Sequence, residues 1–385
     1  MNAPRIALVA GEASGDLLAA HLIEALKKQY PQATFFGVGG PKMEATGFDA
    51  WWPAEKLAVR GYAEVLRHYR EITGIRRRLL KRLLTDPPDI LIGVDAPDFN
   101  LWLEKRIKAA GIRTVHFVGP SVWAWRRRRL KKIGQSVSRI LALFPFEAPL
   151  YKAHGIPVSY VGHPIADMIP LQIDREPVRD RLGVSGGPVF ALLPGSRQSE
   201  LAYLADTFIN TAQLLHQRFD KAVFLVPLVS RETRNQFEEA MWRCGAQELP
   251  FKLLFGHAQD ALVACDVALV ASGTATLEAA LTKRPMVITY RMSPWSWHLT
   301  KLMRYQPWVG LPNILAGRFV VAEFLQEQAT PENLAQAVGN LASEKLLMAA
   351  IGQVFDGIHV SLRQNTALAA ASAITEELGD QFARA

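Results

Sequence analysis

Short apolar runs recur along most of the chain, each followed by a Gly-containing loop and then by a segment with apolar residues every three or four positions. In the first half the runs 6–10, 34–38, 90–94, 114–118, 139–143 and 159–161 predict strands. Continuous apolar strands separated by amphipathic helices are the pattern of a parallel sheet covered on both faces, so this half is expected to be a Rossmann-like, doubly wound α/β domain. Between Pro164 and Pro177 the periodicity fails while Pro and Asp accumulate, which marks a linker. The pattern restarts with runs at 189–193, 222–226, 252–255, 267–270 and 286–290, predicting a second domain of the same class. From Pro331 onward the chain reads as helix, rich in Ala. The expected division is 1–168, 169–345, and C-terminal helices over 346–385 that pack back on the first domain or on a partner subunit.

In doubly wound sheets, ligands bind at the carboxyl ends of the strands, so the loops after the apolar runs carry the candidate chemistry. Ala268–Leu281 reads as a strand, a Ser272-Gly273 turn and a helix. Gly273 suits a tight reversal and Thr274 is a good N-cap, which would leave the amides of Ala275 and Thr276 facing an anion. Glu278, one turn on, would repel a diphosphate and suits ribose hydroxyls, so the seat reads as one for a nucleotide. In LPGSRQSE, Gly195 permits a sharp turn into a helix headed by Ser196 and Arg197, and a guanidinium there can bond two oxygens of a departing diphosphate.

GVDAPDFN places Asp95 and Asp98 at the end of a central strand. With Asp98 expected to cap the helix starting near Phe99, Asp95 is the candidate general base. GEASGD lacks both the Walker pattern and GxGxxG, which argues against a nucleoside triphosphatase or a dehydrogenase. Glu12 and Ser14 either face the ligand cleft or, with Asp16, Ser14 merely caps the next helix. His116 and His163 are read as locally satisfied strand histidines.

A net charge of +8 and a pI near 9.5 point to an anionic partner: nucleic acid, a membrane surface or a phosphorylated small molecule. The basic residues concentrate at Arg67–Arg82 and Arg126–Lys132. The predicted helix Ala63–Leu84 has an apolar stripe (Val65, Tyr69, Ile72, Ile75, Leu79, Leu83), with Arg76, Arg77, Arg78 and further basic residues filling the remainder. Such a helix either lies on an anionic membrane or buries its stripe on the sheet. Trp51 and Trp52 before it, and Trp123 and Trp125 beside the second cluster, favour a lipid-facing surface. Aromatics among arginines also suit RNA, but no RNA-binding motif accompanies them, and no nucleic-acid partner is expected. The start is too short for a signal peptide and no run approaches the roughly 18 apolar residues of a spanning helix, so a cytosolic protein is expected. Cys244 and Cys265 lack metal-ligand or disulfide spacing, and neither a metal nor a cofactor is called for.

The motifs LVAGEASGD, GVDAPDFN, PSVWAWR, LLPGSR, LVASGTATLE, YRMSP and LPNILAG, in this order, closely resemble those of the lipid-A-disaccharide synthases, bacterial glycosyltransferases of the GT-B fold. The resemblance implies two Rossmann-like domains facing across a cleft, the first taking the acceptor and facing the membrane, the second binding the UDP-sugar. The implied reaction is an inverting, metal-independent transfer of 2,3-diacylglucosamine from UDP-2,3-diacylglucosamine to the 6-hydroxyl of 2,3-diacylglucosamine 1-phosphate. It carries onto Asp95 as base, onto Arg197 as diphosphate ligand, and onto Ser272, Gly273, Thr274 and Glu278 as the nucleotide seat. Glu12, Ser14 and Asn313 match further motif positions: Glu12 is a second catalytic candidate, Asn313 joins Gly195, Ser196 and Ala275 on the nucleotide side, and Ser14, Asp98 and Asn100 fall on the acceptor side. Members act at the cytoplasmic face of the inner membrane, and domain-swapped homodimers occur among them. Gly119 stands where some relatives are expected to have Ser. A UDP-sugar 2-epimerase shares the fold and the UDP seat, but GVDAPDFN and PSVWAWR speak against it. A basic membrane- or RNA-binding protein on the same scaffold is the non-enzymatic alternative.

Overall fold

The computed structural model describes residues 3–57, 62–124, 127–303, 306–379 and Phe382; the side chains of 62–69 and 299–303 lie outside that description, as do Trp125 and Arg126. The chain forms two compact units, Met1–Asp167 with Leu362–Ala385, and Met168–Ser361. In the first, seven strands run β1 (Arg5–Ala10), β2 (Thr34–Gly39), β3 (Asp49–Pro53), β4 (Ile90–Val94), β5 (Arg113–Phe117), β6 (Arg139–Ala142) and β7 (Val158–Tyr160). They pair in parallel in the order β3-β2-β1-β4-β5-β6-β7. The second has β8 (Val189–Leu193), β9 (Val223–Leu228), β10 (Phe251–Phe255), β11 (Val267–Ala271), β12 (Met286–Tyr290) and β13 (Glu323–Leu325), in the order β10-β9-β8-β11-β12-β13. Both are doubly wound sheets, and both reverse strand order at one place: between β1 and β4, and between β8 and β11.

The central strands are buried end to end, as their unbroken apolar sequences require. Two edge strands escape the sequence pattern. Asp49–Pro53 and Glu323–Leu325 are half-exposed, so no continuous apolar run marks them.

The basic helix spans Tyr62–Thr85 and packs Leu79 and Leu83 on the sheet beside Val9, Val38 and Leu91, with Ile75 buried as well. The described part of its stripe is therefore core, whereas Val65 and Tyr69 lie outside the described side chains. The C-terminal helices divide between the units. Lys345–Leu362 lies in the second unit up to Ser361. Thr366–Leu378 packs in the first, where Ala370, Ala371, Ile374 and Leu378 join the core formed with the Ala13–Gln29 helix. Asp167 fixes its start by accepting the amides of Asn365 at 3.0 Å and Thr366 at 2.7 Å. Among the described residues no helix is long and apolar enough to cross a membrane.

Candidate functional site

In the first unit the loops after β1 and β4 meet at the strand-order reversal. A Cβ on Gly11 would come within 3.0 Å of the Ala96 Cβ, so GEASGD and GVDAPDFN are packed against one another. Asp95 and Ala96 both take left-handed backbone conformations, with φ of 52° and 42°, unfavourable for residues with a side chain. The amide of Asp95 donates to the Phe117 carbonyl at 2.8 Å. Asn100 is buried beneath, and its Nδ2 donates to the carbonyls of Asp95 at 2.8 Å and Val9 at 3.2 Å, holding the turn to both strand ends. Asn100, expected on the acceptor side, is thus a structural clamp.

The Asp95 carboxyl is half-buried and pushed above its ordinary range, first by burial and then by Glu12, against the opposing effects of the Ala96 amide and His116. Glu12 also borders a recess of about 340 Å³ shared with Asp16, Gly40, Lys42 and Glu55. Asp16 does not cap its own helix. It is buried and accepts the amides of Gly40, Lys42 and Met43 at 2.8–3.1 Å, tying GEASGD to the loop after β2. Ser14 is exposed and makes no cap; Glu12 occupies the N-cap position without a side-chain bond there. Asp98 does not cap either, because the helix begins at Pro97 after Ala96. Its exposed carboxylate pairs with Arg129.

His116, expected to be satisfied locally, is bonded through Nδ1 to Glu104 Oε1 at 2.8 Å, with both side chains fully buried. Sequence reasoning passed over Glu104, whose only signal is a charge on the inward face of an amphipathic helix. Trp123, expected to face lipid, instead packs edge-on against Phe144 and Phe146. Trp51 and Trp52 are likewise packed, Trp51 stacking on Phe36 with Arg82 over its ring. Arg76 lies 4.2 Å from the Trp102 ring centre, while Arg77 and Arg78 are exposed. A side chain at Gly119 would collide with the Tyr151 hydroxyl, 2.4 Å from the position of its Cβ, so the glycine there has a local cause.

In the second unit the loops after β8 and β11 again adjoin the reversal. Gly195 has φ of 128°, and a Cβ there would lie 2.5 Å from that of Glu200, so glycine is required. Glu200 reaches back to accept the amides of Ser196 at 2.9 Å and Arg197 at 3.2 Å. These amides are occupied from within, and the exposed Arg197 side chain is what the turn presents. Tyr290, at the end of β12, lies within the electrostatic reach of Glu200 and Arg197 and is pushed up chiefly by burial. Sequence analysis missed it, although the YRMSP motif contains it.

At the other loop Gly273, not Thr274, is the N-cap. Its φ of 161° is extended backbone that any residue adopts, and a Cβ there would meet nothing within 4 Å. The glycine thus keeps space open in front of the helix start. Thr274 is exposed in the first turn, with Ala275 beside it. The Thr276 amide, expected to be free, donates to the Gly273 carbonyl at 3.2 Å, as does its hydroxyl at 2.7 Å. Ser272 Oγ donates to the Val309 carbonyl at 3.3 Å. Glu278 is half-buried and pushed above its ordinary range by burial alone. Asn313 departs furthest from expectation. It is fully buried, donating to Val321 O and Glu323 Oε1 and accepting the amides of Val320 and Val321, which leaves nothing for a ligand. Among the described residues no group of three or more His, Cys, Asp or Glu could hold a metal ion.

Comparison with solved structures places the architecture among GT-B proteins. A UDP-GlcNAc 2-epimerase from Neisseria meningitidis bound to UDP-GlcNAc aligns at a TM-score of 0.62 and 13% identity, covering 96% of this chain and 98% of the other. A glycosyltransferase from Rickettsia africae aligns at 0.62 and 13%, covering 98% and 99%. At such identities the likeness concerns the fold. Sequence similarity is far closer. The lipid-A-disaccharide synthase of Dechloromonas aromatica is 61% identical over 377 residues, 97% of this chain and 99% of its own. That of Neisseria meningitidis serogroup C is 49% identical over 379 residues, 98% and 99%. The family model for lipid-A-disaccharide synthetase matches residues 6–374, and the chain belongs to that family of glycosyltransferases in lipid A biosynthesis.

Proposed function

We propose that this enzyme transfers 2,3-diacylglucosamine from UDP-2,3-diacylglucosamine to the 6-hydroxyl of 2,3-diacylglucosamine 1-phosphate, with inversion and release of UDP. The observation that carries the assignment of roles is that each unit gathers its candidate chemistry at its own strand-order reversal, where doubly wound sheets bind ligands. Unit one offers a half-buried carboxyl, Asp95, suited to taking the proton of an attacking hydroxyl; Glu12 is the second candidate beside it. Unit two offers the Arg197 guanidinium for the diphosphate, the open space before Gly273 for close approach of a phosphate, and Glu278 for ribose hydroxyls. Amides of the first helical turn, Thr274 and Ala275, complete the seat in this reading, because helix geometry gives them no intrahelical partner.

The exposed Arg77 and Arg78 face supports peripheral attachment to the anionic cytoplasmic leaflet of the inner membrane, where both acylated substrates reside. A homodimer of the swapped kind would exchange the Thr366–Leu378 helix, the segment that returns to the first unit.

The test is UDP release on incubation with both acylated sugars. Release that requires the acceptor and yields a disaccharide 1-phosphate supports the reading. Inversion at C2 of a UDP-sugar without acceptor would assign an epimerase, and lipid binding without turnover would assign a binding protein.

A further inference from the structure

The second basic run of the chain is fixed beside the Asp95 turn. Its helix, Arg129–Ser136, lies along the Pro97–Ala109 helix: Leu130 and Ile133 share a buried apolar cluster with Leu101 and Val122, and Lys108 Nζ donates to the Gly134 carbonyl at 3.1 Å. At the other end of this contact Arg129 Nη2 donates to the carboxylate of Asp98, three residues after Asp95. The Asp98 side chain is 90% exposed, and an ion pair so open to water adds little to stability. Its effect is to hold the guanidinium in place. Arg129 has five N–H donors in a rigid fork, and Asp98 is the hydrogen-bond partner of its side chain among the described residues, so the rest of the fork is open to another anion. Arg128 is exposed next to it, and Lys131 and Lys132 follow, also exposed. Like charges held side by side on a packed scaffold repel one another, and a bound anion relieves that repulsion.

We propose that Arg129, oriented by Asp98, and the adjacent Arg128 bind the 1-phosphate of the acceptor sugar while its 6-hydroxyl lies at Asp95. The inference rests on the reading given above, in which the first unit takes 2,3-diacylglucosamine 1-phosphate and Asp95 is the base. On that acceptor the attacking hydroxyl and the phosphate stand on opposite sides of a single pyranose ring. Asp95 and Arg129 are likewise separated by three residues of chain and one ion pair, a span of the same order. Arginine suits the phosphate, because its planar fork bonds two oxygens at once. Asp98 offsets part of the Arg129 charge, but Arg128, Lys131 and Lys132 leave this end of the site net positive. The other end carries the carboxyl groups of Asp95 and Glu12, which suit a hydroxyl and repel a phosphate. Charge therefore admits the acceptor in one direction only. Asp98 touches no substrate in this arrangement and is a positioning residue that acts through Arg129. A bilayer phosphate has the same chemistry, so the two sources must be separated by measurement.

The experiment compares kcat/KM for 2,3-diacylglucosamine 1-phosphate with that for the same sugar lacking the phosphate, using UDP-2,3-diacylglucosamine as donor, in nonionic detergent micelles that hold no anionic lipid. The ratio of the two values is read on the full chain for the parent, Arg128→Met, Arg129→Met, Asp98→Asn and the double variant Asp98→Asn/Arg129→Met. Each arginine variant should lower the ratio about tenfold or more through KM for the phosphorylated acceptor, as one charge-assisted pair is lost. Asp98→Asn should lower it less. Added to Arg129→Met it should cost nothing further, because its effect passes through the missing guanidinium. A merely structural defect would lower turnover of both acceptors and leave their ratio alone. A ratio unmoved in both arginine variants overturns the proposal, and loss of sedimentation with anionic vesicles in those same variants would then assign the cluster to bilayer phosphate. If Arg129→Met does not fold, judged by its thermal transition, Arg128→Met decides through its ratio, since its side chain is exposed. Failure of the parent to form a disaccharide from either acceptor overturns the reading of the reaction, and this inference with it; turnover with an unmoved ratio overturns the inference alone.

Discussion

The Asn100 side chain donates to the main-chain carbonyl of Asp95 at 2.8 Å, so the candidate base stands on a backbone turn clamped from below. With φ of 52° at Asp95 and 42° at Ala96, the turn is unfavourable by itself and depends on such clamps. If Asp95 takes the acceptor proton, Asp95→Asn lowers turnover by roughly 10² to 10⁴ while UDP affinity persists, because the amide preserves shape but not basicity. The acid limb of kcat/KM in the parent should lie above the ordinary aspartate value, since burial raises this carboxyl. Near-parental turnover in Asp95→Asn combined with its loss in Glu12→Gln would move the base to the loop after β1.

Arg197 heads its helix while Glu200 satisfies the first amides, so removing the guanidinium leaves the cap intact. Arg197→Ala should reduce kcat by about 10² to 10³, the usual cost of one preorganised donor. Steady-state kinetics beside an unchanged thermal transition would separate this from misfolding.

Gly273→Ala adds a methyl group that meets nothing in the protein. Stability should be unchanged. UDP affinity, read by calorimetry, should fall about tenfold or more, roughly 1.4 kcal/mol, if a phosphate occupies that space. Undiminished affinity would place the diphosphate elsewhere.

Asn313→Ala should act on stability in the first instance. It strands the Val320 and Val321 amides, at a cost of about 1–3 kcal/mol for each group left unpaired. A lowered transition temperature with KM for the donor unchanged is the expected result; the reverse pattern would return Asn313 to the ligand.

Arg77→Glu/Arg78→Glu should weaken sedimentation with anionic vesicles by about 2 kcal/mol or more, at roughly 1 kcal/mol per basic residue near the surface, and added salt should act in the same direction. Arg76 is left out because it stacks on Trp102. Equal co-sedimentation of variant and parent would locate membrane contact away from this helix.

Glu147 and His163 give opposite pH slopes. Burial raises Glu147 to about 7 and lowers His163 to about 4, and both sit at the Phe144 aromatic cluster. Between about 4.5 and 7 the folded state binds the Glu147 proton more than the unfolded state does, so this term stabilises at low pH and is lost as pH rises. Between about 6.5 and 4 the unfolded state binds the His163 proton more, so this term is lost as pH falls. In the parent the two partly cancel. Glu147→Gln should therefore lose stability from pH 7 to pH 5, and His163→Gln should gain it, each by at most about 1.4 kcal/mol per pH unit. Transition temperatures at the two pH values check the signs.

Among the described residues, eleven of the thirteen strands and the helical C-terminus were legible in the sequence, because a buried parallel strand must be apolar throughout and periodicity reports that directly. The sequence also determined where candidate chemistry lies, since loops after strands carry it whatever the packing. What each residue there does was decided by tertiary structure. Asn313 and Asn100 look like ligand residues and Asp16 like a helix cap in a one-dimensional reading, yet their bonds go to backbone groups brought alongside by folding: Val320, Val321, Val9, Gly40 and Lys42. Trp123 and Arg76 look like surface anchors, yet aromatic neighbours claim both. Hydrogen-bonding capacity and ring faces are finite, and only the fold determines which neighbours use them first. The sequence displays a polar side chain's valence, and the three-dimensional neighbourhood decides whether any of it remains for a substrate.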